Sequence, residues 1–343
     1  MKYQVYVSIA GENKISIFKM NPDTGKLLFQ NDVAVSGGPG PLAVDPRCRF
    51  LYAGIRSTCQ ISSFHIDHST GGLSLIRTIS LDSDPCYIIT DGKGKFLLSA
   101  YYGAGKVAVH PIGEDGAVGN SPIEWISTAE HAHCIQTDAS NKFAFVPHTV
   151  EPNCIFQFNF DENTGKLTPN AIPKVTPEEK VGPRHFCFHP SKDIVYVSNE
   201  QDSSVTAYNF DQSAGTLTAF QTISTLPEDY DGENTCAQIH LTPSGKFLYV
   251  SNRGHNSIAG FSTDDATGQL VSLGQQPTEP TPRAFTIDPT GNFLFAGGQG
   301  SGKLASYRIN QQTGELKPLE TYAVGKNPMW VLIIGLPEGK HND

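Results

Sequence analysis

No apolar run in this 343-residue chain approaches the length needed to span a bilayer as a helix. The cysteines form no C-x-x-C pair, and their number, seven, is odd. Cys48, Cys59, Cys86, Cys134, Cys154, Cys187 and Cys236 are therefore read as reduced thiols of a cytoplasmic protein rather than as a disulfide framework. Positive charge is in deficit: 25 Lys and Arg against 34 Asp and Glu leave a net charge of −9. That argues against general binding to nucleic acid or to an anionic membrane surface. It leaves room for a small anionic ligand, because a few arginines in a cleft reverse the local field. Helical periodicity is absent, and no Pro/Gly/Ser-rich linker or charge run divides the chain. Residues 1–343 are expected to form one domain. The chain has no G-x-S-x-G elbow and no dinucleotide fingerprint. His131 and His133 stand two apart with no acidic partner to complete a metal-ligand set. No metal or organic cofactor is therefore expected. The N-terminal MKYQVYVSIAGENKIS alternates and soon turns polar, which suits a strand better than a secretory leader.

What is abundant is a phrase that returns seven times: PDTGKL, HSTGGL, GEDGAV, ENTGKL, QSAGTL, ATGQL and QQTGEL. Its glycines, Gly25, Gly71, Gly116, Gly165, Gly215, Gly268 and Gly314, are spaced 45–53 residues apart, the period of a four-stranded propeller blade. Within one repeat, Ala237–Leu241, Lys246–Ser251 and Ser257–Ser262 read as strands A, B and C, and strand D begins at Gln269. An A–B turn recurs as DPRCRFLYAG, DGKGKFLLSA, DASNKFAFVP, HPSKDIVYVS, TPSGKFLYVS and DPTGNFLFAG, giving six complete A–B pairs. The seventh is split. QVYVSIAGENKISIF near the N-terminus lacks a preceding A strand, and PMWVLIIGL near the C-terminus lacks a following B strand. Joining them closes the ring without an exposed sheet edge. The expected fold is an all-β, seven-bladed propeller with four antiparallel strands per blade.

Strands A and B are antiparallel, so the start of A and the end of B meet at one end of the ring. The repeats register on the first apolar residue of B: Phe50, Phe96, Phe143, Ile194, Phe247 and Phe293. About six residues on stand Arg56, Tyr102, Thr149, Glu200, Arg253 and Gln299, and Ala10 in the split blade. About ten residues before stand Gly40, Cys86, His133, Arg184, Ala237 and Arg283, with Met329 or Trp330 in the split blade. Gln238 and His240 follow Ala237 on the same strand. Four arginines, a histidine and a glutamate thus converge on one rim. Guanidinium groups bind carboxylate or phosphate bidentately, and His and Glu move protons near neutral pH. Glu200 either takes part in proton transfer or balances its neighbouring arginines. Trp330 is either core or a ligand-facing wall. His131, His148, His185, His189 and His255 fall outside these registers and are read as structural or surface residues.

GPRHFCFHP (182–190), VSNE (197–200), AQIHLTPSGKFLY (237–249), QPTEPTPRAF (276–285) and YAVGKNPMW (322–330) resemble the seven-bladed lactonase family. That family includes bacterial lactonases of the cycloisomerase-2 type and fungal carboxy-muconate lactonizing enzymes. The resemblance runs from Tyr6 to about Ile334. It implies that His133, Arg184, Glu200 and Arg253 form the catalytic set. Arg283, Arg56, Tyr102, His240, Gln299 and Trp330 are the expected substrate-binding residues. The expected activity is hydrolysis of a sugar lactone, above all 6-phospho-D-glucono-1,5-lactone to 6-phosphogluconate. A muconate-type cycloisomerase is the alternative, and a non-catalytic binding propeller a further one. The base is His133 or Glu200. The expected partner is a small anionic sugar lactone, and the expected assembly a monomer or weak homodimer. The chain departs from the bacterial lactonases at HAHC (131–134), where they carry a C-H pair, and in the loop TLPEDYDGENTC (225–236).

Overall fold

A computed structural model describes residues 1–337. The last six residues of the expected domain, 338–343, lie outside the described residues. The described chain forms seven four-stranded antiparallel sheets arranged as the blades of a propeller. Blade 1 joins the two ends of the chain: its innermost strand is Pro328–Leu336, followed outward by Lys2–Ile9, Lys14–Met20 and Leu27–Ala34. The closing pair is in register from Lys2 opposite Leu336 to Ser8 opposite Trp330. Blades 2 to 7 follow in chain order, each running A to D from the channel outward, with innermost strands Pro39–Val44, Tyr87–Thr90, Gln136–Thr137, Pro183–Phe188, Thr235–Leu241 and Pro282–Ile287.

Burial explains the strand sequences. Strand B lies between neighbouring blades on both faces, so Phe50–Ile55, Phe96–Tyr101 and Phe293–Gly298 are buried at every position and read as continuous apolar runs. Strand D is the solvated outer rim; in Leu27–Ala34 only Leu27 is buried. The A–B turns are held by an acceptor at the end of A. Asp45 Oδ1 accepts the backbone N–H groups of Arg49 at 2.6 Å and Phe50 at 2.7 Å, and Asp91 and Asp138 serve the same positions in the next two blades.

The repeated glycine does more than turn the chain. All seven have φ between 68° and 82°. Six also lie against the first B residue of the preceding blade, and Gly71 lies against Gln4, the third residue of that strand in blade 1. A Cβ on any of them would come within 2.1–2.7 Å of Phe293, Gln4, Phe50, Phe96, Phe143, Ile194 or Phe247. Buried tyrosines two residues further along B reinforce three of these joints: Tyr6, Tyr196 and Tyr249 donate their hydroxyls to the carbonyls of Gly71, Gly268 and Gly314 at 2.6–2.8 Å. The two features that betray the repeat are therefore partners in one blade-to-blade joint. That joint sits at the end of the ring opposite the start of strand A.

Candidate active site

At the other end, where strand A begins, the ladders are irregular. In five blades the A–B register slips close to the start of A, at Met329, Gly40–Pro41, Arg184, Ala237–Gln238 and Arg283. A β-bulge sets an extra residue on one strand against its partner and re-aims its side chain. Each of these five bulges contributes to one narrow pocket at the channel mouth, whose wall also includes Arg56, Cys86, His133, His185 and Trp330. A second cavity of about 240 Å³ lies beside it, bounded by Arg56, Cys86, Tyr102, His133, Glu200 and Arg283.

The charges here are unevenly paired. Glu200 serves two arginines: Arg253 Nη2 donates to Glu200 Oε1, and Arg184 Nε lies 3.5 Å from the same oxygen. Arg253 Nη2 also donates to the Cys236 carbonyl at 2.9 Å. Arg56 is held by Asp84 through Nε at 3.0 Å and Nη2 at 2.5 Å. Four arginines thus face two carboxylates, so a net negative ligand is favoured in a chain that is itself acidic. Arg184 is 1% exposed, and its Nε and Nη1 find no hydrogen-bond acceptor among the described residues; nor does Arg253 Nε. Buried guanidinium donors without acceptors are costly unless a ligand supplies them.

Burial pushes the Arg184 guanidinium down to about 9 and Arg283 to about 10, with neighbouring arginines adding to the effect; both stay charged at neutral pH. Burial alone would raise the Glu200 carboxyl, but Arg184, Arg253 and Arg283 outweigh it and hold it below the usual range. His133 is driven well below the ordinary histidine value by burial first, then by Arg184, His185, Arg283 and Arg253. It is therefore a neutral imidazole with a lone pair inside a cationic cavity. Burial raises the Cys86 thiol to about 11, and its Sγ donates to the Ala100 and Ala132 carbonyls at 3.3 Å, which makes it a packing group rather than a nucleophile.

The structure brings His133, Arg184, Glu200, Arg253, Arg283, Arg56, Tyr102 and Trp330 around this mouth. It does not bring His240 or Gln299. His240 lies three residues beyond Ala237, and at about 3.3 Å per residue this carries it down the channel. It lines a separate cavity of about 520 Å³ that is also walled by Gln238 and Trp330. Gln299 turns to blade 1, where its Nε2 donates to Asn327 Oδ1 at 2.8 Å and meets Met329 Sδ at 3.4 Å. The reading of His185 as a structural or surface residue is also corrected. Its Nε2 lies 3.1 Å from His133 Nδ1, and it shares the pocket wall. Strand alternation would turn it away from Arg184; the bulge at Arg184 brings both inward. A bulge leaves no mark in one sequence beyond the adjacent Arg-His pair itself. Among the described residues no group of three or more His, Cys, Asp or Glu side chains is set to hold a metal ion. No helix among the described residues is long and apolar enough to cross a membrane.

The family profile described as lactonase, 7-bladed beta-propeller, matches residues 4–333. The chain is 37% identical over 336 residues to a 6-phosphogluconolactonase of Pectobacterium carotovorum, covering 98% of this chain and 100% of that protein. It is 36% identical over 334 residues to a 6-phosphogluconolactonase of Serratia proteamaculans, covering 97% and 99%. A solved structure from Bacteroides fragilis, described as a candidate 6-phosphogluconolactonase, superposes with a TM-score of 0.89 at 26% identity, covering 97% of this chain and 98% of its own. This chain is a member of the seven-bladed β-propeller lactonase family.

Proposed function

We propose that this protein hydrolyses 6-phospho-D-glucono-1,5-lactone to 6-phosphogluconate. The observation that carries the reading is the mouth itself: four arginines against two carboxylates around the neutral buried imidazole of His133 and its neighbour His185. Full-length similarity to proteins named 6-phosphogluconolactonase supports the substrate. A sugar lactone needs water delivered to its carbonyl and support for the oxyanion that forms. His133 takes the proton from the attacking water. Arg184, whose Nη1 has no protein acceptor, supports the oxyanion, an interaction worth about 3–4 kcal/mol for one preorganised donor. When the bond from the carbonyl carbon to the ring oxygen breaks, His133 returns the proton to that oxygen. Arg283 and Arg56 hold the phosphate, whose contact changes little along the reaction. Glu200 is the carboxylate that fixes Arg184 and Arg253 rather than the base, because its Oε1 is already engaged by both guanidinium groups.

We further propose that the chain acts as one domain, as a monomer or weak homodimer, in the cytoplasm. Seven unpaired cysteines suit a reducing compartment. A carboxylate-rich muconate lactone would also suit the arginines, but no observation favours it over a sugar lactone. The test is release of 6-phosphogluconate from freshly prepared lactone, corrected for spontaneous hydrolysis, with a muconolactone assayed alongside. His133→Ala should lower kcat by about 10²–10⁴-fold. Glu200→Gln should stay within about tenfold, since it keeps the shape and does not remove the base. Undiminished turnover in His133→Ala, or no turnover of the phosphorylated lactone by the wild type, would refute the reading.

A further inference from the structure

His133 and His185 form a pair of neutral imidazoles. Their nitrogens Nδ1 and Nε2 are 3.1 Å apart, and the rings lie 5.0 Å apart at 58°. Two neutral rings at that distance share one N–H, so the tautomer of one dictates the tautomer of the other. His185 is itself fixed. It is 5% exposed, meets Tyr87 edge-on at 5.2 Å and Trp330 at 6.2 Å, and is anchored beside the bulge at Arg184. The groups around the pair are cationic: Arg184, Arg253 and Arg283 bear on both rings, and His240 bears on His185. A lone pair directed from His133 into this cavity is favoured over an N–H directed there.

We propose that His185 is the positioning residue that sets the tautomer of His133, accepting the Nδ1–H of His133 on its own Nε2. This rests on lactone hydrolysis at this site. His133 Nε2 is then the open base. It takes one proton from the attacking water, and the resulting imidazolium keeps its Nδ1–H on His185. The same Nε2 proton passes to the ring oxygen as the carbonyl carbon–oxygen bond breaks. His185 gains and loses no proton. It plays the part an acid plays behind the histidine of other hydrolases, yet adds no negative charge to a mouth that must hold an anionic substrate.

The test has two arms. In the substrate-free wild type, nitrogen-15 NMR of the histidine rings should find His133 protonated on Nδ1, and in His185→Phe a mixture of both tautomers. The Phe ring keeps the contacts with Tyr87 and Trp330, which guards against loss of fold. In kinetics, His185→Phe should lower kcat by about 30-fold with KM within threefold, and His185→Gln, which offers an acceptor oxygen, should regain at least fivefold of that loss. Wild-type His133 protonated on Nε2, or equal loss in the Phe and Gln variants, would overturn the assignment. So would kcat unchanged in His185→Phe. If the wild type fails to turn over any sugar lactone, the functional reading fails, while the tautomer arm still decides the role of His185.

Discussion

Gly215→Ala probes the joint between blades 4 and 5. Gly215 has φ +68°, and an added Cβ would come 2.1 Å from Phe143 Cδ1. The left-handed backbone costs an L-residue about 1–2 kcal/mol. Forcing a methyl into a packed contact costs about 1–3 kcal/mol more. The single variant should therefore lose about 2–5 kcal/mol of stability by these two terms. Phe143→Ala should lose about 3–5 kcal/mol, part of it through the edge-on contact with Phe210. In the double variant the backbone cost remains and the clash disappears. The loss should then fall short of the sum by about 1–3 kcal/mol. Urea unfolding of the four proteins measures this cycle. Turnover at a temperature below all four transitions should be unchanged, because the joint lies at the end of the ring opposite the mouth. Additivity within about 0.5 kcal/mol would refute the joint as described.

Arg283→Ala should raise KM and leave kcat within about twofold, because a phosphate contact is alike in ground and transition states; a loss confined to kcat would move Arg283 into the chemistry. Deleting residues from Pro328 onward removes the A strand of blade 1 and bares Lys2–Ile9 as an edge, so aggregation or loss of cooperative unfolding is expected; a truncated protein that melts cooperatively near the parent temperature would contradict closure. Acid should destabilise the fold through its buried histidines. His148 and His240 are pushed down to about 4 by burial, and His133 and His185 well below their ordinary value, so between about pH 6.5 and 4 the unfolded chain binds protons the native state refuses. Stability should fall with pH across that window, by up to about 1.4 kcal/mol per pH unit for each histidine, and a urea midpoint flat from pH 7 to 5 would contradict this.

The blade count and the closure of the ring are legible in the sequence because the same physical demand recurs in each blade. Every B strand must be apolar on both faces, and every C–D turn needs a glycine to pass the neighbour's B strand. The strand spans predicted for the sixth blade differ from Thr235–Leu241, Phe247–Arg253, Ser257–Thr263 and Leu270–Pro277 by one or two residues at their ends. The mouth is legible in part for a related reason: counting from a fixed marker locates equivalent heights in each blade, and the positions ten residues before it include the bulged Arg184 and Arg283. The count fails where a residue leaves that height or turns aside. Gln299 bends toward Asn327, and His240, taken as a neighbour of Ala237 on the same strand rather than by the count, is too deep. His185 fails for the opposite reason, since regular alternation hides it and only the bulge brings it in.

The bulges have a consequence for how such a protein acquires new substrates. An inserted residue at the head of a strand is paid for locally, and the ladder beneath it keeps its register; blade 5 runs regularly from His185 opposite Ser198 to Phe188 opposite Val195. Each bulge is therefore a seat whose occupant can change without moving the strand that bears it. Met329, Gly40, Arg184, Gln238 and Arg283 occupy five such seats, two of them cationic. A lineage could exchange a guanidinium for an amide or a thioether at one seat and meet a different lactone, while the seven glycine joints at the far end kept the ring intact.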